Sequence, residues 1–203
     1  NYAFLSDLEV DQYGNVYISG WYNGNKDFGT ISKTAWNSYD GFVARIADNG
    51  NWTWVETMRE YDNGYARGIA LDSNENVYII GESYLYSNHG TYVNTYFTDS
   101  SSSSAGSISS NCGSWRYNVW LVKYSPAGAF TWADRISDSC SNRYGVDVIT
   151  DSNDSVIVTG KFDGQLSMQG MTTTSAGNWD IFLAKVDSNH AWQWLTHGGG
   201  LSE

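Results

Sequence analysis

The side chains of this chain that could carry chemistry are three histidines, two cysteines, a surplus of carboxylates and many aromatic rings. His89, His190 and His197 fall in different connecting segments, so they predict no histidine cluster. The chain has no H-E-x-x-H zinc helix, no G-x-S-x-G elbow and no phosphate-binding loop. Cys112 and Cys140 lack the C-x-x-C spacing and the paired histidines of a zinc site. Asp72, Asn74, Asp151 and Asn153 set oxygen side chains at alternate positions, as calcium loops do. They lack the central glycine and distal glutamate of an EF-hand, and an Asx-type turn explains the same residues without metal. No catalytic residue and no cofactor is therefore expected, with calcium as the weaker alternative.

A different chemistry suits the rings. Trp21, Trp36 and Tyr39 lie in one long connection, and Tyr84, Tyr86, Tyr96 and Trp115 lie in another. Exposed rings beside Asn and Asp can stack on a sugar or anchor a protein contact, and they can also pack a loop onto its scaffold. These seven residues are the ligand-binding candidates.

The composition narrows the partner. Eleven Lys+Arg against 22 Asp+Glu give a net charge of −11, which disfavours nucleic acid. No apolar run reaches the roughly 18 residues of a membrane span, so no membrane insertion is expected. Asn1-Tyr2-Ala3-Phe4 has neither the basic nor the apolar region of a signal peptide. Charged residues are only 16% of the chain, and Asn, Ser, Thr and Gly supply the polar surface. With the sequons at Asn51 and Asn153, this suggests an extracellular or cell-surface protein.

The elements that hold these residues repeat. Asp11-Gln-Tyr-Gly-Asn-Val-Tyr-Ile-Ser-Gly20 returns as Asp72 to Gly81 and again as Asp151 to Gly160, at offsets of 61 and 79 residues. Asp40-Gly-Phe-Val-Ala-Arg-Ile with Trp52-Thr-Trp54 returns at Asn118 with Phe130-Thr-Trp132, and at Asp180 with Trp192-Gln-Trp194. Each repeat holds four short β-like runs, named here a to d. Short Asp/Asn/Gly/Ser turns join a to b and c to d, and long variable links join b to c. No helical apolar period is present. The unequal offsets place an insertion at residues 82–117, and its Ser100–Ser104 run reads as a flexible loop.

Four antiparallel strands repeated in register predict an all-β fold of propeller blades, at about 4–58, 65–136 and 144–196, within one segment spanning 1–203. Gly14-Asn-Val-Tyr-Ile-Ser-Gly20, Asp180-Ile-Phe-Leu-Ala-Lys185 and Ser175-Ala-Gly-Asn-Trp-Asp180 resemble the bacterial and archaeal β-propeller repeat family labelled SBBP. The resemblance covers all three repeats and implies secreted or surface propellers with no common enzymatic motif. Glu75 and Asp154 depart from the turn glycine seen at Gly14, and Asn118 departs from the strand-c Asp. Asp48-Asn-Gly-Asn-Trp-Thr-Trp54 is similar to a sialidase Asp-box, but its spacing is off by one residue.

Three blades are too few to close a ring of about 4–8, so a part of a larger propeller, or an oligomer sharing one ring, is expected. Cys112 in the middle b–c link and Cys140 in the following d–a link fall on one face of one blade. A disulfide between them would be worth about 3–4 kcal/mol on the loop-entropy view. Arg45, Lys123 and Lys185 share one position of strand c, and blade-to-blade ion pairs or snorkelling stems are expected there. The expected function is recognition of protein or glycan through the b–c loops. The alternatives are self-association into an extracellular assembly (filament, sheath, surface layer or viral fibre) and a sugar-directed enzyme.

Overall fold

The structure, a computed structural model, describes residues 2–85, 93–110, 116–136 and 142–201. Strands and turns make up the described residues. The first blade is β1 (Ala3–Val10), β2 (Val16–Tyr22), β5 (Asp40–Ile46) and β6 (Trp52–Arg59). The second is β7 (Asn63–Leu71), β8 (Val77–Leu85), β11 (Arg116–Tyr124) and β12 (Phe130–Arg135). The third is β13 (Arg143–Thr150), β14 (Val156–Phe162), β17 (Asp180–Val186) and β18 (Trp192–Gly198). In each, the strands pair antiparallel in the order a-b-c-d.

Burial shows why the repeat needs neighbours. In the middle blade Val77, Tyr78, Ile79 and Ile80 are all buried, because blade 1 covers one face of the sheet and blade 3 the other. Its apolar run is therefore continuous, as expected for a strand covered on both sides. The terminal strand β1 leaves Leu5, Leu8 and Val10 exposed.

The repeated glycine at the end of strand b has a packing cause. Gly20, Gly81 and Gly160 pair with Phe42, Trp120 and Phe182 of strand c. Each ring lies across the bare glycine, and a Cβ on Gly81 would run into Trp120 Cη2 and Cζ2. A bulge in every strand a, just after the residue that pairs with this glycine, at Leu5/Asp7, Ala66/Gly68 and Gly145/Asp147, adds local twist.

The turn departures also have a cause. Gly14, Glu75 and Asp154 share one turn position and all have positive φ, at 82°, 62° and 58°. A side chain there costs roughly 1 kcal/mol, but it reaches the neighbouring blade. Asp154 accepts hydrogen bonds from Ser73 N at 2.8 Å and Ser73 Oγ at 2.7 Å, and Glu75 accepts one from Gln12. We expect Asp154→Ala to lose the bonds and keep the strain, lowering stability, whereas Asp154→Gly relieves the strain and lowers it less. Urea denaturation of both variants checks the order.

Two expectations change. Residues 82–117 are not simply a loop: they hold the hairpin β9 (Val93–Asp99) and β10 (Ser102–Ser110). β9 pairs with β6, so the first sheet gains two outer strands. Thr95, Phe97 and Thr98 are buried, and Phe97 packs edge-on to Trp120 at 5.7 Å. The serines of β10 mark an outermost, solvent-facing strand, where polar side chains protect the edge. The other b–c links carry smaller hairpins, β3 (Asn25–Phe28) with β4 (Ile31–Thr34), and β15 (Gln165–Met168) with β16 (Met171–Thr174).

The strand-c cations, in turn, pair inside their own blades. Lys123 lies 3.6 Å from Asp72 and Lys185 2.6 Å from Asp151, while Arg45 donates to Tyr17 Oη at 3.0 Å. Cys112 and Cys140 lie outside the described residues, as do His89, Tyr86 and Trp115.

Candidate recognition surface on the b–c face

The ends of strands a, b and c nearest the long links bring rings together across blade boundaries. Phe4 stacks on Trp21 at 4.1 Å, and Trp21 meets Tyr39 at 5.0 Å and Tyr65 of the next blade at 5.3 Å, both edge-on. A second run crosses from blade 2 to blade 3. Tyr84 and Tyr117 are 4.3 Å apart, Tyr117 and Tyr144 are 4.3 Å apart, and Tyr144 and Trp179 are 5.3 Å apart. All these rings except the exposed Phe4 and Trp179 are half-buried, so each is held by the sheet and still offers surface.

Charge sits among the rings. Arg67 lies over Tyr65 at 4.8 Å and pairs with Glu82 at 2.5 Å. Lys161 lies 4.6 Å from the Tyr144 ring centre and 5.2 Å from that of Trp179. Arg67, Glu82, Tyr144, Gly145, Val146 and Lys161 line an open groove of about 290 Å³. Burial pushes the Glu82 carboxyl up, against the pull of Arg67 and Lys161. Burial likewise raises the Tyr65 and Tyr144 hydroxyls to about 12, so both stay neutral donors at physiological pH.

Behind the surface a buried polar network ties the blades together. Glu60, fully buried, accepts from Ser83 Oγ, and Ser83 meets Thr95 Oγ1 at 2.9 Å and accepts from the Trp120 indole at 3.1 Å. Desolvation holds the Glu60 carboxyl well above its ordinary value. Asp40, at the start of β5, accepts from the backbone N–H of Trp36 and of Glu60, fixing the end of the b–c link against the d–a link. Burial raises Asp40 to about 6 in spite of those two bonds. Asp180 repeats half of the clamp by accepting from Ala176 N.

The sequence candidates thus separate. Trp21 and Tyr39 join the first aromatic run and Tyr84 the second. Trp36 lies elsewhere, against Tyr96 of the β9 hairpin at 5.4 Å. Tyr65, Tyr117, Tyr144, Trp179, Arg67 and Lys161 were not singled out by sequence reasoning. A signal existed: Phe4, Tyr65 and Tyr144 occupy one position of strand a, a ring repeated where alternation alone suggests core.

The Asp side chains of the oxygen-rich turns accept bonds from their own turns. Asp72 accepts from the N–H of Asn74 and Asn76 and from Tyr78 Oη. Asp151 accepts from Asn153 N, Ser155 N and Lys185, and the Lys185 bond, ahead of the two backbone bonds, lowers its carboxyl to about 2.

No protein-family model matches the chain. An uncharacterized WD repeat-containing protein of Acanthamoeba polyphaga mimivirus is 25% identical over 171 residues, covering 77% of this chain and 11% of that protein. The chain thus spans about a tenth of that relative's length. Taken with three antiparallel a-b-c-d strand sets in one phase, the first widened by the β9–β10 hairpin, this likeness marks the repeats as β-propeller-type blades.

Proposed function

We propose that the chain is a non-enzymatic recognition module, displayed outside the cell, that binds a protein through the aromatic runs of its b–c face. The observation that carries this reading is the Tyr84–Tyr117–Tyr144–Trp179 run with Lys161 laid over its end. Tyr, Trp and Arg are the residue types that dominate binding energy at protein interfaces, and here they are preorganised on strand ends. Arg67 and Lys161 flank the groove of an otherwise acidic chain, which suits a partner segment carrying a carboxylate beside apolar side chains. The SBBP-like strings and the Asn/Ser/Thr-rich surface support the extracellular placement.

A glycan is the second reading. Trp36, 51% exposed and braced by Tyr96 beside Asn37, offers a flat ring with polar neighbours. Parallel screens of a displayed peptide library and a glycan array separate the two. Acidic-aromatic peptides should be enriched, with affinity falling as salt rises. Glycans alone being retained would sink the protein reading.

A further inference from the structure

Two repeat positions set tyrosines on the two sides of a blade boundary. The first is the residue before the strand-c Asp or Asn, held by Tyr39 and Tyr117. The second is the strand-a position of Tyr65 and Tyr144. Tyr39 faces Tyr65 of blade 2, and Tyr117 faces Tyr144 of blade 3. The two pairs are not equivalent. Tyr39 and Tyr65 keep their ring centres 6.1 Å apart, whereas those of Tyr117 and Tyr144 close to 4.3 Å. The Tyr144 hydroxyl also donates a hydrogen bond to that of Tyr117. The ortho carbons of a tyrosine lie between its ring centre and its hydroxyl, so these two approaches bring the ortho carbons of both rings side by side. Tyr84 stands as near to Tyr117, at 4.3 Å, from within the same blade.

The surroundings suit one-electron chemistry at this pair. Trp179, 43% exposed, lies 5.3 Å from Tyr144 and gives the group its solvent side. An electron lost from an exposed ring is readily replaced from a neighbour at that distance, so the pair can be oxidised without direct access. Lys161 sits 4.6 Å from the Tyr144 ring centre and 5.2 Å from that of Trp179. Its charge opposes a second cation on either ring, so an oxidised Tyr144 sheds its hydroxyl proton and becomes a neutral phenoxyl radical.

We propose that Tyr117 and Tyr144 form an oxidative cross-linking site, joined into dityrosine by hydrogen peroxide and a haem peroxidase. Each phenol gives up one electron and its hydroxyl proton. The two radicals pair their electrons in a new bond between ortho carbons, and the hydrogen displaced from each carbon leaves as a proton that restores the hydroxyl. The pair loses two hydrogen atoms in all, and one peroxide takes them up to give two waters. Rings already held in contact make the coupling effectively unimolecular. The bond ties β11 of blade 2 to β13 of blade 3 and closes residues 117–144 into a loop, which constrains the unfolded chain as a disulfide does. The site rests on ring geometry alone, so it stands whether or not this face binds a partner.

Treatment of the folded chain with a haem peroxidase and hydrogen peroxide tests the site. Products are read in the single-chain fraction, which sets aside links between copies through exposed rings such as Tyr13. That fraction should show dityrosine fluorescence, and its protease digest should hold the Tyr117 and Tyr144 peptides joined and lighter by two hydrogen atoms. Chain unfolded in urea before treatment should yield at least ~10-fold less of the joined peptide, since the rings are no longer held together. Tyr144→Phe should keep the wild-type far-ultraviolet dichroism and lose the joined peptide. No joined peptide in the single-chain fraction, a Tyr84–Tyr117 link in its place, or an equal yield of a Tyr39–Tyr65 link would each overturn the site. So would an equal yield from the unfolded chain.

Discussion

Gly81→Ala should lower the unfolding free energy by about 2–4 kcal/mol, among the largest single-methyl effects available in this chain. The added Cβ would fall 2.5 Å from Tyr65 O on one side and against the Trp120 ring on the other. Neither neighbour can yield easily. Tyr65 O belongs to a paired strand, and Trp120 is fully buried with its indole bonded to Ser83. Relief would require the ring to leave a close-packed junction between blades. Gly200→Ala, where a Cβ meets nothing within 4 Å, is the matched control and should change stability by less than about 0.5 kcal/mol. Urea titrations of the two variants make the comparison.

The second large effect depends on pH. Glu60 is fully buried, and desolvation raises its carboxyl well above 4.5 in the fold. Above that ordinary value the unfolded chain releases the proton and the folded chain keeps it. Its contribution to stability is thus fully present below about pH 4.5 and is lost as pH rises toward the folded value. Asp40, raised from 3.8 to about 6, adds to the same slope across that window. Glu60→Gln removes one titration, and each pKa unit so removed is worth about 1.4 kcal/mol. The melting temperature of the variant relative to wild type should therefore move in the variant's favour by several degrees between pH 4 and pH 8. A difference that stays constant with pH would show that Glu60 titrates alike in both states.

The blades were legible because their causes are local and repeated. Gly20, Gly81 and Gly160 recur because one ring must cross each of them, and Asp11, Asp72 and Asp151 recur because each caps the same turn. The β9–β10 hairpin was hidden because Ser100–Ser104 has the composition of a linker. Its fit depends on Phe97 reaching Trp120 and Phe130, a tertiary fact. Ion pairing was misplaced between blades because strand phase gives the position of Lys123 but not the reach to Asp72 within its own sheet.

The candidate surface was half legible. Trp21 and Tyr39 stood out because the sequence puts them in a connection, although Trp21 in fact lies at the end of β2. Tyr117, the last residue of the 82–117 insertion, and Tyr144, at the start of a blade, carried no such mark, and they touch each other only because two blades meet there. Contacts across a blade boundary join residues of different repeats, and no spacing within one repeat reports them.

The most direct test of recognition through this face is a pair of binding isotherms, using a peptide selected on the wild-type chain. One is measured with wild type and one with the Tyr117→Ser/Trp179→Ser variant, after its fold is confirmed by dichroism. The expected result is a loss of affinity of at least ~10-fold, about 1.4 kcal/mol. Superimposable isotherms would contradict the assignment of the b–c aromatic runs as the binding surface.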